Sequence, residues 1–143
     1  MKQLFVTIAG ATFLLSNAAV AREPIVVVER AIGETLVDTR DGVAVVGTRN
    51  IFANPIYDAT NTVQIGSDAD VCTLAVPGKL WSCAWTVVFK SGRLMVSGLV
   101  TEGETSKLAI TGGTEEFRGA RGILTVIARS GDQPGYDFRF EFD

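Results

Sequence analysis

The 143-residue sequence contains no histidine. That excludes Ser-His-Asp and Cys-His catalysis and removes the commonest zinc ligand. Acid–base work near neutral pH would fall to Asp, Glu, Tyr, Cys, Lys or an ordered water. Cysteine is scarce too: Cys72 and Cys83 allow a single intrachain pairing. Basic residues are scattered and form no patch that would offset phosphate charge, so no nucleic-acid partner is expected. Past Arg22, charges interrupt every apolar run, so no membrane span is expected in the mature chain. No amphipathic stretch long enough for a helix follows residue 22.

The N-terminus is different in kind. Met1-Lys2-Gln3 gives a positive start, Leu4 to Leu15 is apolar, and Asn17-Ala18-Ala19-Val20-Ala21 ends in small residues. This is the layout of a secretory signal peptide over residues 1–21, cleaved after Ala21, with a secreted or periplasmic product. The run is short for a membrane anchor, which needs about 20 residues. Loss of Lys2 leaves 12 basic against 16 acidic residues, a net charge of −4 instead of −3. Export would place both cysteines in an oxidising compartment.

Residues 22–143 form one domain of short alternating runs separated by turn residues, the mark of an all-β chain. Strands are expected at 24–30, 43–52, 63–65, 71–76, 80–90, 93–100, 107–111, 120–129 and 136–142. Gly47 would bend the second, and Gly66-Ser67-Asp68 would break the chain after the third. Pro77-Gly78 suits a two-residue turn. It would set Val76 opposite Lys79 and Cys72 opposite Cys83, a register that a bulge would shift. Opposed strand residues come close enough for a disulfide only at a non-hydrogen-bonded site. Bonded cysteines and two packed thiols both fit. Ser91-Gly92 suits a second hairpin turn, which would set Phe89 opposite Leu94 and Trp85 opposite Gly98. Trp81, Cys83, Trp85, Val87 and Phe89 would share one apolar face. In the last run Tyr136, Phe138, Phe140 and Phe142 alternate with Asp137, Arg139, Glu141 and Asp143, so the aromatic side must be buried. About eight strands favour a closed antiparallel barrel, since closure removes exposed edges; periodicity alone also allows a sandwich.

Three stretches together carry a resemblance. The first is Asn54-Pro55-Ile56-Tyr57-Asp58-Ala59-Thr60-Asn61 with Val63-Gln64-Ile65-Gly66. The second is Val71-Cys72-Thr73 with Trp81-Ser82-Cys83-Ala84-Trp85-Thr86, then Gly92 and Gly98. The third is Ala109-Ile110-Thr111-Gly112-Gly113-Thr114 with Phe117-Arg118-Gly119-Ala120-Arg121-Gly122. In this order and spacing they resemble the allene oxide cyclase barrel-like superfamily, which includes dirigent proteins and small exported bacterial proteins. The resemblance implies an eight-stranded antiparallel barrel with a central apolar cavity, no cofactor, and a homotrimer. Glu115 stands where such families usually carry a glycine after Gly-Gly-Thr.

Candidate residues follow from the resemblance and from chemistry. Glu29 looks like the first-strand pocket glutamate of the plant cyclases, Asn54 like their pocket asparagine and Cys72 like their cavity cysteine. Glu29 and Asn54 are therefore the candidate catalytic pair. A carboxyl group can stabilise developing positive charge, and an asparagine can hold a water or an oxygen. On parity Glu29 goes with Ile25 and Val27, inward with a raised pKa or outward beside Arg30. Trp81 and Trp85 either fill the core or line a ligand cavity. Tyr57 would add a hydroxyl at the pocket mouth. Asp68, Asp70, Asp38 and Asp41 make no recognisable calcium loop, and no metal is implied. The Gly112 to Gly122 stretch lacks the Gly-Lys-Ser/Thr ending of a phosphate loop and reads as strand–turn–strand. The expected function is a cyclase-like or dirigent-like barrel holding a small hydrophobic molecule. The alternative is a non-catalytic binding or interaction protein of the envelope.

Overall fold

The structure, a computed structural model, describes residues 22–131 and 133–143; the signal-peptide expectation falls outside them. Among the described residues no helix is long and apolar enough to cross a membrane. The strands are β1 (Ile25–Arg30), β2 (Thr35–Val37), β3 (Arg49–Phe52), β4 (Pro55–Asp58), β5 (Gln64–Val76), β6 (Leu80–Phe89), β7 (Gly92–Thr101), β8 (Ser106–Gly113), β9 (Gly122–Ala128) and β10 (Gly135–Phe142). A single 3-10 turn, Glu115–Phe117, joins β8 to β9.

All pairings between these strands are antiparallel, and β5 pairs with β6 to close the sheet on itself. Closure excludes the sandwich. The wall is eight strands round, because β3 and β4 occupy one wall position in succession. β3 pairs with Arg49–Phe52 against Asp70–Thr73 of β5, and β4 pairs further back, Pro55 against Ser67. The interruption falls at Ala53-Asn54. Beyond it β2 folds back on β3 as a flap, Thr35 against Ile51, while β1 stays paired with β10 as far as Arg30 and with β4 as far as Glu29.

Alternation decides what fills the barrel. β10 sends Phe138 and Phe140 fully inside, β6 sends Cys83, Trp85 and Val87, and β9 sends Leu124 and Val126. Aromatic contacts run the length of the interior. Phe117, carried by the 3-10 turn, lies 5.7 Å from Phe89; Phe89 meets Phe140, Phe140 meets Phe138, and Phe138 stacks on Trp85 at 5.2 Å. Arg22 lies over the Phe117 and Phe142 rings at that first end. The barrel is thus plugged at the Phe117 end and opens at the other, beyond Trp85.

The turns correct several sequence expectations. Cys72 does face Cys83 and the two are joined by a disulfide, but a bulge between Leu74 and Val76 sets Val76 against Leu80 instead of Lys79. The β6–β7 loop is Lys90-Ser91, so Phe89 faces Gly92, Trp85 faces Val96, and Gly98 faces Cys83. Gly92 belongs to the strand because it lies beneath the 3-10 turn, where a Cβ would come within 2.5 Å of the Thr114 carbonyl oxygen. The shift is by two residues, so the faces are as expected. Residues 43–48 are not strand; only Arg49–Phe52 is. Gly66-Ser67-Asp68 does not interrupt the chain but lies within the 13-residue β5. Glu115 adopts φ +47, the conformation a glycine would take there without cost.

Candidate functional site

The site begins with the interruption in the wall. Asn54 shares parity with the fully buried Ile56, so its side chain points inward. Its backbone N–H, freed from strand pairing, donates to Asp68 Oδ1 at 2.8 Å, and the Asp68 N–H donates to the Asn54 carbonyl at 2.9 Å. Asn54 Oδ1 accepts from the Ile32 N–H at 3.0 Å, which orients the amide so that Nδ2 donates to Glu29 Oε1.

Glu29 is on the last inward turn of β1 and is 1 % exposed. Its backbone is held against β10 at Gly135, where a Cβ would sit 2.0 Å from the Glu29 carbonyl oxygen, so only glycine allows the approach. The next residue along β10, Tyr136, faces Glu29 directly. Burial chiefly, and the charge of Asp68 with it, push the Glu29 carboxyl up from 4.5 to about 8 against the opposing hydrogen bond from Asn54. At neutral pH it is mostly a neutral acid.

Two more carboxyls lie behind it. Asp68 and Asp70 point inward from β5, 2 % and 5 % exposed. Asp70 Oδ1 accepts from the Thr86 N–H at 3.1 Å. Asp68 Oδ2 and Asp70 Oδ2 are buried with no donor from any other described residue. Burial raises both pKa values, and the charges of Asp68 and Glu29 raise Asp70 further. Two carboxylates packed without a counter-cation cannot both ionise, and a proton on Asp70 donated to Asp68 completes both oxygens.

Two adjoining cavities open here. One, about 330 Å³, is lined by Glu29, Ile32, Asn54 and Tyr136 among others. The second, about 290 Å³, is lined by the Cys72–Cys83 pair, Trp81, Trp85, Val126 and Ala128. They share Glu34, Asn50, Phe52 and Tyr136, so an acid-bearing recess continues into an apolar chamber. A larger groove of about 750 Å³ runs over the outer surface at Ile51, Val71 and Ala84; neither Glu29, Asn54 nor either tryptophan lines it.

The structure thus brings together Glu29, Asn54, Cys72, Cys83, Trp81 and Trp85. It does not bring Tyr57 there. Tyr57 follows the inward Ile56 and so faces out, with the Arg30 guanidinium 3.6 Å from its ring centroid. Arg30 is held in place by Asn61, 2.7 Å to Oδ1. Tyr136, which the sequence placed only on the buried aromatic face, supplies the phenol at the cavity. Asp68 and Asp70 were missed as interior residues. Their signal was available: continuing back by twos through Leu74 and Cys72 lands on Asp70 and then Asp68.

The fold is that of the dirigent and cyclase-like β-barrels. Solved structures with this fold include a pyocyanin demethylase (21 % identity over 85 % of this chain and 100 % of that one, TM-score 0.72). A pterocarpan synthase dirigent protein is similar at 19 % identity, over 85 % of this chain and 94 % of that one, TM-score 0.65. An exo-specific intermolecular Diels-Alderase is similar at 16 % identity, over 84 % and 96 %, TM-score 0.63. No protein-family model matches the sequence, and no curated protein matches it.

Proposed function

We propose that this protein is an exported, cofactor-free cyclase- or isomerase-like barrel that takes a small hydrophobic ligand into its open end. The observation that carries the reading is Glu29: a buried acid, held by Asn54, on the wall of a recess that continues into the Trp81–Trp85 chamber. The chamber supplies shape and excludes water. The Glu29 carboxyl gives or takes a proton where charge develops on the ligand, and the transfer is reversed as the rearranged product forms. Such chemistry leaves the ligand's composition unchanged and needs mainly enforced geometry. The structural likeness to a pterocarpan synthase dirigent protein and a Diels-Alderase supports a reaction of this kind.

Export is supported by the leader-like N-terminus and by the disulfide. A homotrimer is part of the proposal. Ile65, Val71, Leu99, Ile123 and Ile127 give the outer wall apolar surface that neighbouring copies would cover.

The test uses the protein from Arg22 onward, incubated with the apolar metabolite extract of its own source and examined by native mass spectrometry. A small molecule released on denaturation is expected, with Glu29→Gln retaining the molecule but losing its conversion. Equal conversion by Glu29→Gln would take the catalytic role away from Glu29, and binding with no conversion by either protein would favour the non-catalytic reading. The absence of both binding and conversion would refute the proposal. The same spectra report the trimer mass.

A further inference from the structure

The charges around the open end are one-sided. Glu29 and Glu34 line the recess, and Glu34, Glu102 and Glu104 line the rim of the chamber; among the described residues no lysine or arginine lines either cavity. The nearby cations are turned elsewhere. Arg30 lies on Tyr57 and Asn61, Arg49 pairs with Asp38, and Arg129 pairs with Asp137. Lys79 sits in the β5–β6 turn, where its carbonyl accepts from the Glu102 N–H; its side chain lines neither cavity. The resulting field reaches the wall, since burial and the charges of Glu29, Glu34 and Glu102 all raise the Tyr136 pKa.

Aromatic faces complete the chamber. Phe52, Trp81, Trp85 and Tyr136 line it, and Trp81 Nε1 donates to Glu102 Oε1 at 2.6 Å, which fixes the indole edge toward the rim. Two polar atoms in this lining are buried without partners: the Trp85 indole N–H and Asn50 Oδ1. Carboxylates at the rim, π faces within and an unused acceptor form a surface suited to positive charge. Among the described residues the Trp85 N–H is the one unpartnered donor in this lining, and the carboxylates and π faces around it oppose an anion.

We propose that the ligand of this cavity is a planar aromatic cation, and that organic anions, fatty acids among them, are rejected. This rests on the cavity being the ligand site, as above. The cation lies against the tryptophan faces and supplies the counter-charge that Glu29 lacks. Its arrival favours the Glu29 carboxylate, so one proton leaves Glu29 for solvent and no covalent bond changes. The groups facing Glu29 are Asn54 from the wall interruption, Asp68 and Asp70 from β5, Tyr136 from β10 and Glu34 before β2. None is basic, so none competes with the ligand for this role.

The test uses three bicyclic probes of matched shape: N-methylquinolinium (cation), N-methylquinolone (neutral) and 2-naphthoate (anion). The two tryptophans of the chain both line the chamber, so their quenching, corrected against free N-acetyltryptophanamide, reports occupancy. The cation should bind at least tenfold more tightly than the neutral probe, and the anion more weakly than either. The preference should shrink with added salt and fall about threefold in Glu104→Gln. Cation affinity should rise with pH between 7 and 9 in the native protein and stay level in Glu29→Gln, with the neutral probe level in both. Equal binding of neutral and cation, or a preference for the anion, would overturn the inference while leaving the cavity a ligand site. Binding of none of the three would overturn both.

Discussion

Acidification from pH 8 to pH 5 should stabilise this protein. The reason is the sign of the shift at Glu29, raised in the folded state from 4.5 to about 8. Between those values the folded chain holds a proton that the unfolded chain has released, so stability falls as pH rises. The contribution is complete below the unfolded value and lost as pH climbs through the folded one. Each unit is about 1.4 kcal/mol, so the three units from pH 5 to pH 8 bound the effect of Glu29 at about 4 kcal/mol. Asp68 and Asp70 act in the same direction, with coupled titrations that do not simply add. Local opening will absorb part of this, leaving about 2–4 kcal/mol, or roughly 10 °C in Tm at about 4 °C per kcal/mol for a domain of this size. Asp58 is lowered, chiefly by the Thr62 backbone N–H, so its opposite effect appears only below the ordinary aspartate range and outside this window. Thermal melts in buffers of matched ionic strength from pH 5 to pH 8 measure the slope. Glu29→Gln keeps the acceptor for Asn54 and should reduce the slope, leaving the part that Asp68 and Asp70 contribute. A Tm that is level or rises with pH would show that the acids are not buried as a cluster, and the argument would fail.

Other outcomes follow from the same geometry. Asp70→Asn, whose amide can donate to Asp68, should stabilise the protein at pH 8 by about 1–3 kcal/mol and much less at pH 5, measured by urea unfolding at both. Reducing the Cys72–Cys83 bond, which closes a short loop of sequence separation 11, should cost about 2–3 kcal/mol in the same assay, and a Cys72→Ser, Cys83→Ser pair should reproduce it. Phe138→Ala removes the ring stacked on Trp85 and should cost about 3–5 kcal/mol, with a changed tryptophan emission. Tyr57→Phe should leave ligand affinity unchanged by tryptophan quenching, because the phenol faces outward; a tenfold loss would contradict its placement.

The sequence was most legible where polarity and parity agree. From Tyr136 to Asp143 aromatic and charged residues alternate without exception, and β6 alternates large apolar residues with smaller or polar ones from Trp81 to Val87, hence their buried faces were evident from the sequence. The cysteine register was legible because Pro77-Gly78 fixed the hairpin closely enough, even with a bulge beside it. Parity alone left Glu29 open, since a lone carboxylate on a strand is ordinarily solvated. What placed it inside is the β1–β10 contact at Gly135, a long-range fact. Asp68 and Asp70 failed for the opposite reason. β5 is inverted there, with acids inside and Ala69 and Val71 outside, so polar residues beside a glycine were taken for a turn. Their desolvation is tolerated because three carboxyls together can share protons. That compensation is invisible to any rule that scores residues singly.

The interrupted wall position has one more consequence. Glu29, Asn50, Asn54, Asp68 and Asp70 come from β1, β3, the Ala53-Asn54 gap and β5. The surfaces that contour the chamber come largely from β6, β7, β9 and β10. Proton chemistry and cavity shape are therefore written on separate arcs of the barrel. Substitutions at Val100, Val126 or Ala128 can recut the chamber for a new guest without disturbing the acid set. The two arcs are free to diversify at different rates.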